Sequence, residues 1–270
     1  FRYLNELMNR NQSAFGKYRH DLKWMNHSAS YEKQLERDNL LNKNKDNFQW
    51  LFHKTKPWIN RLSEGCRLCG RGDWSCLFIT GKCNANCFYC PALQNEVGLP
   101  TTQMLRFDTP EKYSEYINFF GFKGVSFSGG EPLLSFDKTI AYLCEIRKNC
   151  HPGIYIWLYT NGILGSDEYF RALADAGINE IRFDIGATAY RLDAIKIAKK
   201  YVENITVEIP AIPEHLAKLK TLLPEMVDAG VTNLNLHQLR LTQYNSPKLL
   251  PRNYSLIHGE QPTVVESELS

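Results

Sequence analysis

Apolar and polar positions follow two rhythms along the chain, and the change falls near residue 75. Residues 1–64 are polar and charged, with scattered aromatics and few β-branched residues. That pattern predicts a mainly helical extension packed on a larger body. From residue 75 onward, short apolar runs alternate with longer amphipathic ones. The short runs predict strands at Cys76–Gly81, Gly124–Ser128, Tyr155–Thr160, Glu180–Ile185, Ile205–Pro210 and Asn233–Leu239. Between them lie helices over Pro110–Phe120, Phe136–Asn149, Asp167–Ala176, Arg191–Tyr201 and His215–Ala229. Gly177 and Gly230 stand where helices end on a left-handed residue. Strand-then-helix repeats argue a parallel sheet with crossover helices. Six units are too few for a closed eight-unit barrel, which leaves an open partial barrel or a doubly wound sheet. The divisions expected are a helical extension (1–64), a cysteine-containing connector (65–74), a partial (βα)6 barrel of α/β class (75–240), and a C-terminal segment covering one barrel mouth (241–270).

Strand alternation chooses between the two architectures. One set of strand positions carries Leu77, Ile79, Val125, Phe127, Ile156, Leu158, Ile181, Phe183, Val207, Ile209, Leu234 and Leu236, and these belong under helices. The other carries Phe78, Thr80, Ser126, Ser128, Tyr159, Asn161, Arg182, Asp184, Thr206, Glu208, Asn235 and His237. A doubly wound sheet would want both sets apolar. A sheet curled around a wet, polar lumen fits better. Asp184, Glu208 and His237 point into that lumen as candidate catalytic groups, or they hold it together by pairing with Arg182.

Composition adds little beyond the cysteines. Hydrophobic residues make up 43% and charged residues 23%, and the net charge is +3. That charge gives no strong signal for nucleic acid. No apolar run is long enough for a membrane span and no export signal is visible, which points to the cytoplasm. The chain begins with Phe1 rather than Met, so its native start is expected upstream. There are eight cysteines, and six of them fall between Cys66 and Cys90. A disulfide scaffold belongs to small secreted domains, so ligation of metal or iron–sulfur is the better reading. Cys144, beside Ile140 and Leu143, reads as core.

Residues 83–90 read Cys-Asn-Ala-Asn-Cys-Phe-Tyr-Cys, directly after the first strand. A cubane [4Fe–4S] cluster takes four ligands, so three cysteines on one loop leave one iron open. The loop sits at the C-terminal end of its strand, where barrel enzymes place their chemistry. Cys83-x3-Cys87-x2-Cys90, with Tyr89 in the aromatic position, resembles the radical S-adenosylmethionine (SAM) superfamily. Ser128-Gly129-Gly130-Glu131-Pro132 after the second strand resembles its Gly-Gly-Glu motif, and Tyr159-Thr160-Asn161-Gly162 after the third is similar to its members too. The resemblance covers residues 75–240. Leu77–Pro91, preceded by Gly65-Cys66-x2-Cys69-Gly70, looks closest to a branch related to pyruvate formate-lyase-activating enzymes.

The resemblance implies that SAM binds the open iron and is reductively cleaved to a 5′-deoxyadenosyl radical, which takes hydrogen from a substrate. It places Tyr89, Ser128, Gly129, Gly130, Glu131, Thr160 and Asn161 around SAM. Glu131 would face the SAM ammonium, and the two glycines would let backbone approach it. A flavodoxin- or ferredoxin-like donor is implied. The substrate expected is a peptide or protein, with a small polar metabolite or nucleoside as the alternative. A non-catalytic iron–sulfur or zinc protein fits less well. Gly65-Cys66-x2-Cys69-Gly70 reads as a tight turn, and with Cys76 it forms a candidate second site for iron–sulfur or zinc.

Overall fold

A computed structural model describes residues 2–95, 98–258 and 263–264. The N-terminal part holds helix α1 (Arg2–Ala14), a 3-10 turn (Gly16–His20), strand β1 (Lys23–Trp24), α2 (His27–Lys43), the hairpin β2 (Gln49–Leu51) and β3 (Lys56–Trp58), and α3 (Glu64–Arg71). There follow β4 (Trp74–Thr80), β5 (Thr101–Thr102), β6 (Leu105–Arg106), α4 (Pro110–Phe120), β7 (Gly124–Gly129), α5 (Phe136–Asn149), β8 (Tyr155–Thr160), α6 (Asp167–Asp175), β9 (Glu180–Phe183), α7 (Asp193–Ala198), β10 (Asn204–Pro210), α8 (Leu216–Asp228) and β11 (Asn233–His237). The chain continues through α9 (Ser246–Leu249), β12 (Ser255–Ile257) and β13 (Thr263–Val264).

The large sheet runs β11-β10-β9-β8-β7-β4-β5-β6. Its six expected strands pair in parallel. The sheet does not close on itself, so the architecture is the open partial barrel. The antiparallel pair β5 and β6 at one edge was not expected. Side-chain caps start the crossover helices where the sequence supplies them. Thr109 accepts from Lys112 N–H at α4, and Ser166 accepts from Tyr169 N–H at α6.

The apolar strand positions from Leu77 to Ile209 are buried under the helices. Leu234 and Leu236 on edge strand β11 remain 37% exposed, because no crossover helix comparable to α8 follows them. Cys144 differs from expectation. The buried face of α5 is Thr139, Tyr142, Leu143 and Ile146, and this turns Cys144 to solvent.

The inner face also differs. Register pairs Ser126 with Trp157 and Trp157 with Glu180, so both side chains share the lumen with Arg182 and Thr206. All four are at most 2% exposed. The lower lumen is therefore a packed floor rather than wet space. Helix α3 seals it from below. A Cβ on Gly65 would stand 2.3 Å from Arg182, and one on Gly124 would stand 2.9 Å from Leu68. The expected connector is thus largely helix, and its cysteines lie inside it.

The segment 241–258 is anchored to the body by a strand and a core of its own. Strand β12 pairs in parallel with β1, and Leu241, Leu249 and Leu256 form a second core with Phe15, Leu22, Tyr89, Ile212 and Leu239. Residues 259–262 and 265–270 of the expected C-terminal segment lie outside the described residues. No helix among the described residues is long and apolar enough to cross a membrane.

Candidate active site

The upper mouth is built where β4, β7 and β8 end. After β4 the backbone turns, and Lys82 N–H donates to Thr80 Oγ1 (3.1 Å). The loop leaving β7 crosses this turn at close range. Gly130 N–H donates to Thr80 O (2.6 Å), and Glu131 N–H donates to Lys82 O (2.9 Å). Gly129 has φ +123°, and a Cβ there would lie 2.2 Å from Thr80 O. A Cβ on Gly130 would lie 2.2 Å from Lys82 O. The glycine pair is required by this backbone crossing, so closeness to SAM is not needed to explain it.

Glu131 is fully buried. Its carboxylate accepts from Leu133 N–H (3.0 Å), Thr160 Oγ1–H (2.8 Å) and Asn161 N–H (2.7 Å). Thr160 in turn accepts from Gly162 N–H (3.0 Å). All three donors to its carboxylate come from the protein itself, where a SAM ammonium was expected. Glu131 ties the end of β8 to the loop after β7 and faces no solvent. Burial pushes its carboxyl up to about 7, while the three donors pull the other way.

Glu131→Gln places an amide donor among three donors, and a mismatched buried polar group costs about 1–3 kcal/mol. Apoprotein unfolding in urea should show that loss at acid pH. A buried acid raised from 4.5 to about 7 gives stability that is full below 4.5 and lost by about 7. The gap between wild type and variant should therefore narrow as pH rises through that window. Unchanged apoprotein stability with weakened SAM binding would restore the direct contact.

Asn161 reaches from β8 to the cysteine loop. Its Nδ2 donates to Asn84 Oδ1 (2.7 Å) and lies 3.6 Å from Cys83 Sγ. Cys83, Cys87 and Cys90 are half-buried on this one loop, and Ala85 N–H also points at Cys83 Sγ (3.4 Å). Burial, with the Asp184 charge next in weight, pushes the Cys87 thiol up to about 11. Tyr89 is buried in the second core, and its hydroxyl donates to Asp184 Oδ1 (2.8 Å). Asp184 also accepts from Gly186 N–H (3.1 Å). A cavity of about 250 Å³ opens beside them, lined by Cys87, Phe88, Tyr89, Gly186, Ile212 and His215 among others.

The three lumen candidates divide, since the His237 charge reaches Asp184 whereas Glu208 turns to the floor. Asp184 is engaged with Tyr89, while Glu208 accepts from Arg182 Nη1 (2.7 Å) on the floor. His237 is exposed at the end of β11, beside Gln238 O (3.2 Å). Arg182 also pairs with Glu180 (2.9 Å) and donates to Ser63 Oγ (3.2 Å). Of the positions expected around SAM, Ser128, Gly129 and Gly130 keep accessible surface, whereas Tyr89, Glu131, Thr160 and Asn161 are buried.

The second cysteine group takes a different backbone form from the one expected. Gly65-Cys66-x2-Cys69-Gly70 is helix α3 rather than a tight turn, and Ser63 caps its start through Cys66 N–H (3.2 Å). Among the described residues, no three His, Cys, Asp or Glu side chains gather as ligands of one metal ion. Cys66, Cys69 and Cys76 thus do not form a three-thiolate zinc site. A cubane asks for something else, since each thiolate takes its own iron, so the loop of Cys83, Cys87 and Cys90 fits one.

Residues 77–226 match a family model described as the Radical SAM superfamily. A Methanocaldococcus jannaschii protein named "putative glycyl-radical enzyme activating enzyme" is 30% identical over 73% of this chain and 55% of its own length. GTP 3′,8-cyclase of Staphylococcus carnosus is 34% identical over 41% of this chain and 33% of its own. The chain therefore spans about half, or less, of the length of these curated relatives. Among solved structures, Streptococcus suis SuiB bound to S-adenosylmethionine has a similar fold (TM-score 0.52, 12% identity, 88% of this chain and 58% of that one).

Proposed function

The chain belongs to the radical SAM superfamily, and from that premise we propose that it uses SAM and a [4Fe–4S] cluster on Cys83, Cys87 and Cys90 to take hydrogen from a peptide or protein. The observation that carries this reading is the loop itself. All three thiols leave one loop at the C-terminal mouth, and two N–H groups point at Cys83 Sγ. When bound, the cluster supplies the electron that cleaves SAM. Asn161 and Ala85 hold the Cys83 sulfur in place. The crossing at Gly129 and Gly130 fixes the mouth opposite the cysteine loop. Ser128, Gly129 and Gly130 offer the accessible edge on which SAM rests. Glu131 and Thr160 hold that edge and act from behind it.

Two observations favour a macromolecular substrate. The relative matched over most of this chain carries the name of an activating enzyme for glycyl-radical enzymes. The polar lumen groups that would grip a small metabolite are consumed by one another, as Arg182 binds Glu180 and Glu208. A flavodoxin- or ferredoxin-like protein is the electron donor in this reading.

The test is anaerobic turnover of the reconstituted protein with SAM and a reductant. A glycine-bearing peptide or a glycyl-radical enzyme should raise 5′-deoxyadenosine formation above the uncoupled background, and GTP should not. Consumption of GTP with no response to protein substrates would reverse the assignment.

A further inference from the structure

The segment after β11 carries no motif, yet it returns to the cysteine loop. Thr242 Oγ1 donates to Pro91 O (3.0 Å), Asn245 Nδ2 to Tyr89 O (3.1 Å), and Lys248 Nζ to Cys87 O (3.3 Å). The donors recur every third residue. Their targets are alternate carbonyls, at 87, 89 and 91. Phe88 and Tyr89 form a turn closed by Cys90 N–H to Cys87 O (3.3 Å), so the strap grips the loop before, within and after that turn. Asn245 is fully buried, and its Oδ1 accepts from Thr242 N–H (2.7 Å), which braces the strap internally.

Lys248 brings something the other two do not. Its ammonium also donates to Asn86 Oδ1 (2.5 Å), so both of its recorded partners are neutral oxygens. Its charge is not cancelled by them. Arg252, a second cation against this loop over the Phe88 ring, is paired with Glu214. Net charge and hydrogen bonding around an iron–sulfur cluster set its reduction potential, and a nearby cation favours the more negative, reduced form.

We infer that residues 242–248 are a positioning strap for the cysteine loop, and that Lys248 is the residue that raises the reduction potential of the cluster held there. This rests on the cluster assignment made above. Lys248 is a positioning residue: it touches the loop backbone and no reacting atom.

The experiment is a potentiometric titration of the reconstituted wild type, Lys248→Met and Lys248→Arg, each with iron and sulfide measured. Exposed charge interactions are worth roughly 0.2–1 kcal/mol, so at a fixed solution potential the reduced-to-oxidised ratio should fall roughly 1.4- to fivefold in Lys248→Met. Lys248→Arg should restore it. The difference should shrink at high salt, because Lys248 is exposed and screening reaches it. Full cluster content with an unchanged ratio at low salt would overturn the role of Lys248 and leave the cluster assignment standing. A wild type that takes up no iron would instead remove the cluster assignment, and this inference with it. An equal shift in Lys248→Arg and Lys248→Met would also overturn the charge argument.

Discussion

Replacing Cys83, Cys87 and Cys90 together by Ala should strip iron and sulfide to background and remove the brown colour of the reconstituted protein. The wild type should carry about four irons per chain, as one cubane requires. No residual iron is expected in the triple variant, because Cys66 and Cys69 are held within helix α3 and Cys76 within β4, rather than together on one loop as Cys83, Cys87 and Cys90 are. The fold should survive. The loop carbonyls are held by Thr242, Asn245 and Lys248, and Tyr89 is held by Asp184, none of which involves sulfur. Circular dichroism on the same samples separates loss of the cluster from loss of the fold. Loading of the wild type should also weaken as pH falls, because ligation needs thiolates and burial already pushes the Cys87 thiol up to about 11. Iron and sulfide unchanged in the triple variant would place the cluster on other residues.

The second large effect is expected on the lumen floor. Arg182 is 2% exposed and bridges Glu180, itself fully buried, to Glu208. Breaking a buried ion pair from one side leaves unmatched charge and costs about 3–5 kcal/mol. Arg182→Met should lose stability on that scale in urea unfolding at neutral pH. The deficit should shrink in acid, where protonation removes the charge that Arg182 no longer matches. Adding Glu180→Gln and Glu208→Gln should recover much of the loss, because the trio as a whole has to overcome its own desolvation. Retained stability in Arg182→Met alone would mean that water reaches the floor, and the polar lumen would again be open to a small ligand.

Much of this was legible from residue order. The barrel strands follow from period-two burial, and Gly177 and Gly230 end their helices with positive φ as their positions suggest. The failures have physical causes. Strands β5 and β6 have two residues each, and their turn places Gln103 and Met104 at positive φ without glycine, so no turn signal exists. The Cys66–Cys69 spacing drew attention to ligation, while Ser63, three residues before Cys66, was the overlooked helix cap. For Glu131 the motif identified the residue but not its direction, since burial depends on how the loop after β7 crosses Lys82. Trp157 and Glu180 lie on the same alternation as Tyr159 and Arg182, one step earlier, at the buried start of the strands. Thr242, Asn245 and Lys248 meet the cysteine loop only across a long chain separation that no local pattern encodes.

That separation bears on when the protein can acquire its cluster during synthesis. Strand β1 begins at Lys23 and its partner β12 at Ser255, so this contact closes a loop of about 230 residues, among the slowest kinds of contact to form. The floor and the β4–β8 sheet can assemble while later residues are still being made, since domains build from the N-terminal end at about 5–20 residues per second. The seat beneath Tyr89 cannot, because Asn245, Leu249 and Leu256 have yet to emerge. A nascent chain halted before residue 242 would display all three cysteines on an unbraced loop, with the thiols open to oxygen and to stray metal. Iron–sulfur delivery is thereby expected to follow synthesis of residues 242–256 rather than the appearance of the cysteine motif.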